Sequence, residues 1–187
     1  MNYARFRLRI GAHVLDIIVL LSILAFLLAV GSTNRLLSVC LIPIEGLLFY
    51  IYTLYFHATS GQTLGKRQLG IRVVTLEGGA LGIAGSFRRN LIMLIESLPW
   101  IVATMFATLR VSDEQFRSLH GHAYTQLLKN LRPEWYPMTL TIFNVILVAE
   151  ISAILLTKNR RSLHDFVGGT VVVKVADQSN TMGSRAD

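Results

Sequence analysis

Charge is scarce in this sequence. Asp, Glu, Lys and Arg make up 16% of its 187 residues, against about 25% in an average soluble domain. Hydrophobic residues make up 52% and the mean hydropathy is +0.51, more apolar surface than a soluble chain of this size can bury. Cysteine is nearly absent. The single Cys40 excludes an internal disulfide and reads as a small apolar filler. Ordered catalytic sets are lacking too. His164 and Asp165 are neighbours in sequence, which does not orient a dyad. His120-Gly121-His122 has no Cys or carboxylate cluster beside it, so no metal is expected. We expect no enzyme activity and no cofactor. The net charge of +7 comes without any nucleic-acid-binding motif, so no nucleic-acid partner is expected.

What the chain does have is four long apolar stretches, about 10–30, 36–56, 91–109 and 138–156. Each reaches roughly 30 Å as a helix, the thickness of a bilayer core. The first is too long for the roughly 7–15-residue core of a signal peptide and contains Asp16, so it is read as a retained span. The expected fold is an all-α membrane protein, a four-span transmembrane helical bundle with a small cytoplasmic β element. It occupies residues 1–177, with a disordered tail at 178–187. Lys and Arg number 13 in the N-terminus, second loop and tail together, and 5 in the first and third loops. The positive-inside rule places both termini in the cytoplasm, with the basic residues facing membrane lipid headgroups.

Each stretch contains one acid: Asp16, Glu45, Glu96 and Glu150. A carboxylate at the centre of a membrane helix costs roughly 2.5–3.5 kcal/mol on the mildest scale, so each needs a partner, a proton or water. Arg9, His13 and Asp16 are four and three residues apart and share a helical face. Asp16, Glu96 and Glu150 lie near one level towards the cytoplasmic end, with Glu45 nearer the outer side. Arg9, His13, Asp16, Glu96 and Glu150 therefore form a candidate polar cluster for an ion or proton. If the cluster moves an ion, Asp16 is the carrier, Arg9 its gating partner and His13 a proton relay. The alternative is structural ion pairing, Arg9 with Asp16 or the acids with Arg9, Arg88, Arg89 or Arg160, that only fixes helix packing. The third span contains Glu96, Pro99 and Trp100 and is the least hydrophobic, expected to be bent or short. Arg88 and Arg89 precede it at the headgroup level.

The loops carry further signals. Ile71–Leu76 reads as a strand, Glu77-Gly78-Gly79-Ala80 as a turn, and Ala80–Ile83 as a returning arm. Thr170–Val175 is another strand, and the pieces are expected to form one small sheet. In the third loop, Ser112 and Gln115 fit a capping box opening an amphipathic helix. Ser60–Arg67 is superficially similar to a phosphate-binding loop. Its spacing is one residue short, however, Arg67 stands where Ser or Thr would hold magnesium, and a membrane helix precedes it. It is read as a glycine-held turn at the lipid surface.

Three motifs in order resemble the RDD family of small bacterial membrane proteins. They are Arg9-x-x-Ala12-x-x-x-Asp16, then Gly61-Gln62-Thr63-Leu64-Gly65-Lys66, then Leu163-His164-Asp165 followed by Gly169-Thr170-Val171-Val172. The resemblance covers nearly the whole chain and maps the family's Arg to Arg9 and its two Asp to Asp16 and Asp165. It implies a multi-pass protein of the bacterial inner membrane. Two functions follow: transport by monovalent cation/proton exchange, or a non-transporting accessory or assembly subunit of a larger membrane complex or homo-oligomer. Asp165 is expected to hold the cytoplasmic end by pairing with an Arg or capping a helix.

Overall fold

The computed structural model describes residues 2–175; the expected tail lies outside them. Four helices are long and apolar enough to cross a membrane: α1 (Phe6–Gly31), α2 (Arg35–Thr59), α4 (Gly82–Arg110) and α7 (Tyr136–Leu156). Short helices α3 (Leu64–Gln68), α5 (Asp113–Ser118), α6 (Gly121–Leu131) and α8 (Leu163–Gly168) lie between or after them, with strands β1 (Ile71–Thr75) and β2 (Thr170–Lys174). Large apolar side chains such as Ile18, Phe26, Val145 and Leu156 point outwards. That is a fault in water and the expected surface in lipid, where helices satisfy their own backbone.

The helix boundaries have local causes. Asn34 ends the α1–α2 turn by accepting from the Leu36 and Leu37 amides with its side chain, satisfying donors that a helix start leaves free. Ser112 and Gln115 form the capping box of α5. The third loop is not one helix, however. Leu119 and His120 are extended and Gly121 has φ +55°, which separates α5 from α6. The third span has the lowest hydropathy of the four, but it is the longest, at 29 residues.

α2 and α4 pack most extensively, and α1 lies against α2 and α3. Gly46 faces Ile101 across the α2–α4 seam, where Ala103 and Ala107 are also buried; such small residues let membrane helices approach closely. α7 packs against α4 and α8, and none of its most apolar window is buried.

β1 and β2 pair antiparallel, Val73 opposite Val172. The 80–83 segment does not return as a strand. After a tight turn closed by the Gly78 amide on the Thr75 carbonyl, the chain enters α4 at Gly82. The sheet is extended instead by the N-terminus, on the β2 edge: Ala4 donates to the Val172 carbonyl at 2.9 Å and Lys174 donates to the Asn2 carbonyl at 2.8 Å. On the other edge Val73 donates to the Gly61 carbonyl at 2.8 Å. Both edges of a two-stranded sheet are thus occupied, which removes the usual hazard of exposed strand edges. Ala4, Ala12, Ile71, Val73 and Val172 form a core between this sheet and α1.

Candidate functional site

Asp16 is 1% exposed and is held by neutral donors. Its Oδ1 accepts from the Tyr52 hydroxyl and the Gly65 amide, both at 2.7 Å, and its Oδ2 accepts from the Thr63 hydroxyl at 2.6 Å. The donors come from α2 and from the loop that starts α3, so one carboxylate ties three elements together. The loop can reach it because residue 65 is glycine. A Cβ there would stand 2.1 Å from the Ala12 carbonyl oxygen. The Gly61–Lys66 turn is therefore packed onto α1 through Thr63 and Gly65, with Gly61 also buried and Thr63 fully enclosed, while Leu64 stays exposed. Buried donors needed an acceptor, and Asp16 supplies it.

Arg9 does not pair with Asp16. Its Nη1 donates to Asp165 Oδ2 at 2.6 Å. Although Arg9 and Asp16 belong to one helix, Arg9 lies about two turns nearer the N-terminus, at the level of α8 and the sheet. Arg89 pairs with Asp165 Oδ1 and also donates to the Thr170 hydroxyl at 2.6 Å. Asp165 is fully buried and caps its own helix, accepting from the Ser162 amide at 3.0 Å while its own amide donates to Ser162 Oγ. Arg161 closes the other end of α8, donating to the Asp165 and Thr170 carbonyls at 3.0 and 3.2 Å. Burial alone would push the Asp165 carboxyl up. The guanidinium groups of Arg89 and Arg9 outweigh that and hold it well below the usual carboxylate range.

Of the other candidate residues, Glu150 faces α8, accepting from the His164 amide at 2.9 Å and from the His164 ring. His13 stacks edge-on against Phe49, with 5.0 Å between centroids. Glu96 is half-buried, lies off the cavity lining described next and makes no hydrogen bond among the described residues. Glu45 lines a separate pocket with Ser97 and Trp100. The single cluster expected from depth is thus three sites: an Asp16 lock, an Asp165 latch and a Glu150–His164 pair.

These sites border a cavity of about 340 Å³ between α1, α2, α4, α7 and α8. Its polar lining includes Arg9, His13, His57, Lys66, Arg89, Asn90, Glu150 and His164, and its apolar lining includes Phe6, Ile10, Phe49, Leu147, Ile151 and Ile154. Burial, and secondarily the nearby Arg89, push the Lys66 ammonium down to about 8, against the opposing pull of Asp16 and Asp165.

Arg161, Ser162, Thr170 and Tyr52 were not singled out from the sequence as partners of the motif acids, and Arg89 was not singled out as the partner of Asp165. Two signals pointed to some of them. Ser162-x-x-Asp165 has capping-box spacing, and Ser86, Arg89, Asn90 and Met93 recur at i, i+3, i+4 and i+7 on one face of α4. Arg88, one residue away and about 100° around the helix, is exposed as expected, whereas Arg89 is only 7% exposed.

Four spanning helices closed at one end by an Arg–Asp latch define a multi-pass membrane protein. The RDD family model matches residues 3–169, which takes in the three motifs up to Gly169. The chain belongs to the RDD family. No curated protein and no solved structure matches it.

Proposed function

We propose that this protein is a non-enzymatic, non-transporting accessory module of the bacterial inner membrane, with both termini cytoplasmic. On this reading the family's Arg and Asp residues fix the shape of the cytoplasmic end. The observation that carries it is the saturation of the two motif carboxylates. A carrier must repeatedly exchange its partner for an ion. Asp16 would have to release three buried hydrogen bonds, each worth about 1.5–3 kcal/mol when one partner is charged. Asp165 would have to leave two guanidinium groups uncompensated. The same geometry makes both residues effective clamps. The outward apolar faces of the spans, and α6, which has no buried residue, favour docking to a larger membrane complex or a second copy.

The competing reading is monovalent cation/proton exchange with Asp16 as carrier, and proteoliposomes separate the two. The accessory reading predicts no cation-dependent proton flux above that of empty vesicles. A robust flux that vanishes in Asp16→Asn, with the variant still folded, overturns it in favour of exchange.

A further inference from the structure

The cavity carries unspent hydrogen-bond donors that the latch does not use. Arg9 spends Nη1 on Asp165, but its Nε and Nη2 are buried without a partner among the described residues. His57 is 3% exposed. The Asn90 amide nitrogen approaches its Nδ1 at 3.5 Å. A side-chain NH₂ can only donate, so this contact favours the tautomer with Nδ1 as acceptor and the hydrogen on Nε2. That Nε2 is also buried without a partner among the described residues. The Lys66 ammonium makes no hydrogen bond among the described residues. The one carboxylate on the lining, Glu150, is turned to His164. Asp16 and Asp165 stand behind the lining and are fully engaged.

Unpaired buried donors are costly, and they concentrate here in a space whose lining is both polar and apolar. Arg9, His57 and Lys66 line it together with Ile10, Leu147, Ile151 and Ile154. Ile10 belongs to α1 and the other three to α7, and these two spans both line the cavity without packing extensively against each other. Ile10, Leu147 and Ile151 are at least a third exposed, so the gap between α1 and α7 faces the bilayer.

We propose that this cavity binds the phosphate headgroup of an anionic lipid, which enters sideways between α1 and α7. Arg9, Lys66 and the His57 Nε2–H hold the phosphate, and the acyl chains lie along Ile10 and the α7 isoleucines. Charge-assisted hydrogen bonds to phosphate are the strong class, and a bound anion stabilises the Lys66 ammonium that burial otherwise disfavours. The inference goes beyond the accessory reading and does not depend on it, since an exchanger could hold a lipid in the same place.

The test uses the full chain in phosphatidylcholine nanodiscs doped with phosphatidic acid, with retained lipid counted by native mass spectrometry. One phosphatidic acid per chain is expected to persist. Lys66→Gln is expected to weaken retention about tenfold, the usual scale for losing one charge-assisted contact. Ile151→Trp, which enlarges a side chain of the apolar lining and leaves every donor in place, is expected to reduce it as well. Melting curves confirm that both variants are folded. Retention of phosphatidic acid equal to that of phosphatidylcholine, or unchanged in both folded variants, overturns the proposal. Displacement by millimolar inorganic phosphate with no effect of Ile151→Trp overturns the lipid source and assigns the site to a soluble anion.

Discussion

Asp16 and Asp165 show how residue type and depth become structure. Each is buried beyond reach of water, but they are satisfied differently: Asp16 by two hydroxyls and an amide, Asp165 by two guanidinium groups, a hydroxyl and an amide. Lys66 is the charge that burial leaves least compensated. Because its folded pKa of about 8 lies below the ordinary 10.5, the folded state binds fewer protons than the unfolded chain between those values. Stability therefore rises with pH across that window. Melting curves of the protein and of Lys66→Met, recorded in neutral detergent over the same range, are expected to diverge. The parent gains thermal stability from about pH 8 to 10.5 relative to the variant. Bound anionic lipid, by favouring the ammonium, reduces the gain.

At the scale of elements, the short helix α8 is the keystone. Its start is closed by the Ser162–Asp165 capping box, its end is closed by Arg161, and its side is pressed against α4. Gly168 makes that last contact possible, since a Cβ there would meet the Arg89 Cα at 2.9 Å and Cβ at 2.7 Å. Backbone cannot yield as a flexible side chain can. Gly168→Ala is thus expected to push α8 away from Arg89 and to cost about 1–3 kcal/mol, the range for overpacking, read as a lower unfolding midpoint in detergent. The β element illustrates what sequence alone could not decide. The strands at 71–75 and 170–174 were legible from their β-branched residues. The third segment of their sheet was not, because Ala80–Ile83 and Asn2–Ala4 are equally bland locally. The choice is made by tertiary contacts: Ala4 fits the core between α1 and the sheet, and Leu81 packs against that core as the chain turns into α4.

For the whole molecule, hydropathy disclosed the four spans, because in lipid the outward face of each helix is written directly in its composition. The motif residues were legible as important, but not their pairing. Arg9 and Asp16 share a helical face, which suggests a pair. In the folded chain that face meets two different elements, α8 near Arg9 and the Gly65 loop near Asp16. Only the long-range packing of α3, α4 and α8 tells them apart, and spacing within α1 carries no record of it. The molecule that results is a bundle locked at one end around a basic cavity.

The claim that the motif acids lock the fold is tested most directly by a double-mutant cycle on Arg89 and Asp165, with unfolding free energies measured in detergent. Asp165→Asn leaves two buried guanidinium groups uncompensated and is expected to cost about 3–5 kcal/mol. In an Arg89→Met background the same substitution should cost less, by a coupling of about 1–3 kcal/mol. Additive effects, or an Asp165→Asn variant as stable as the parent, would contradict the account.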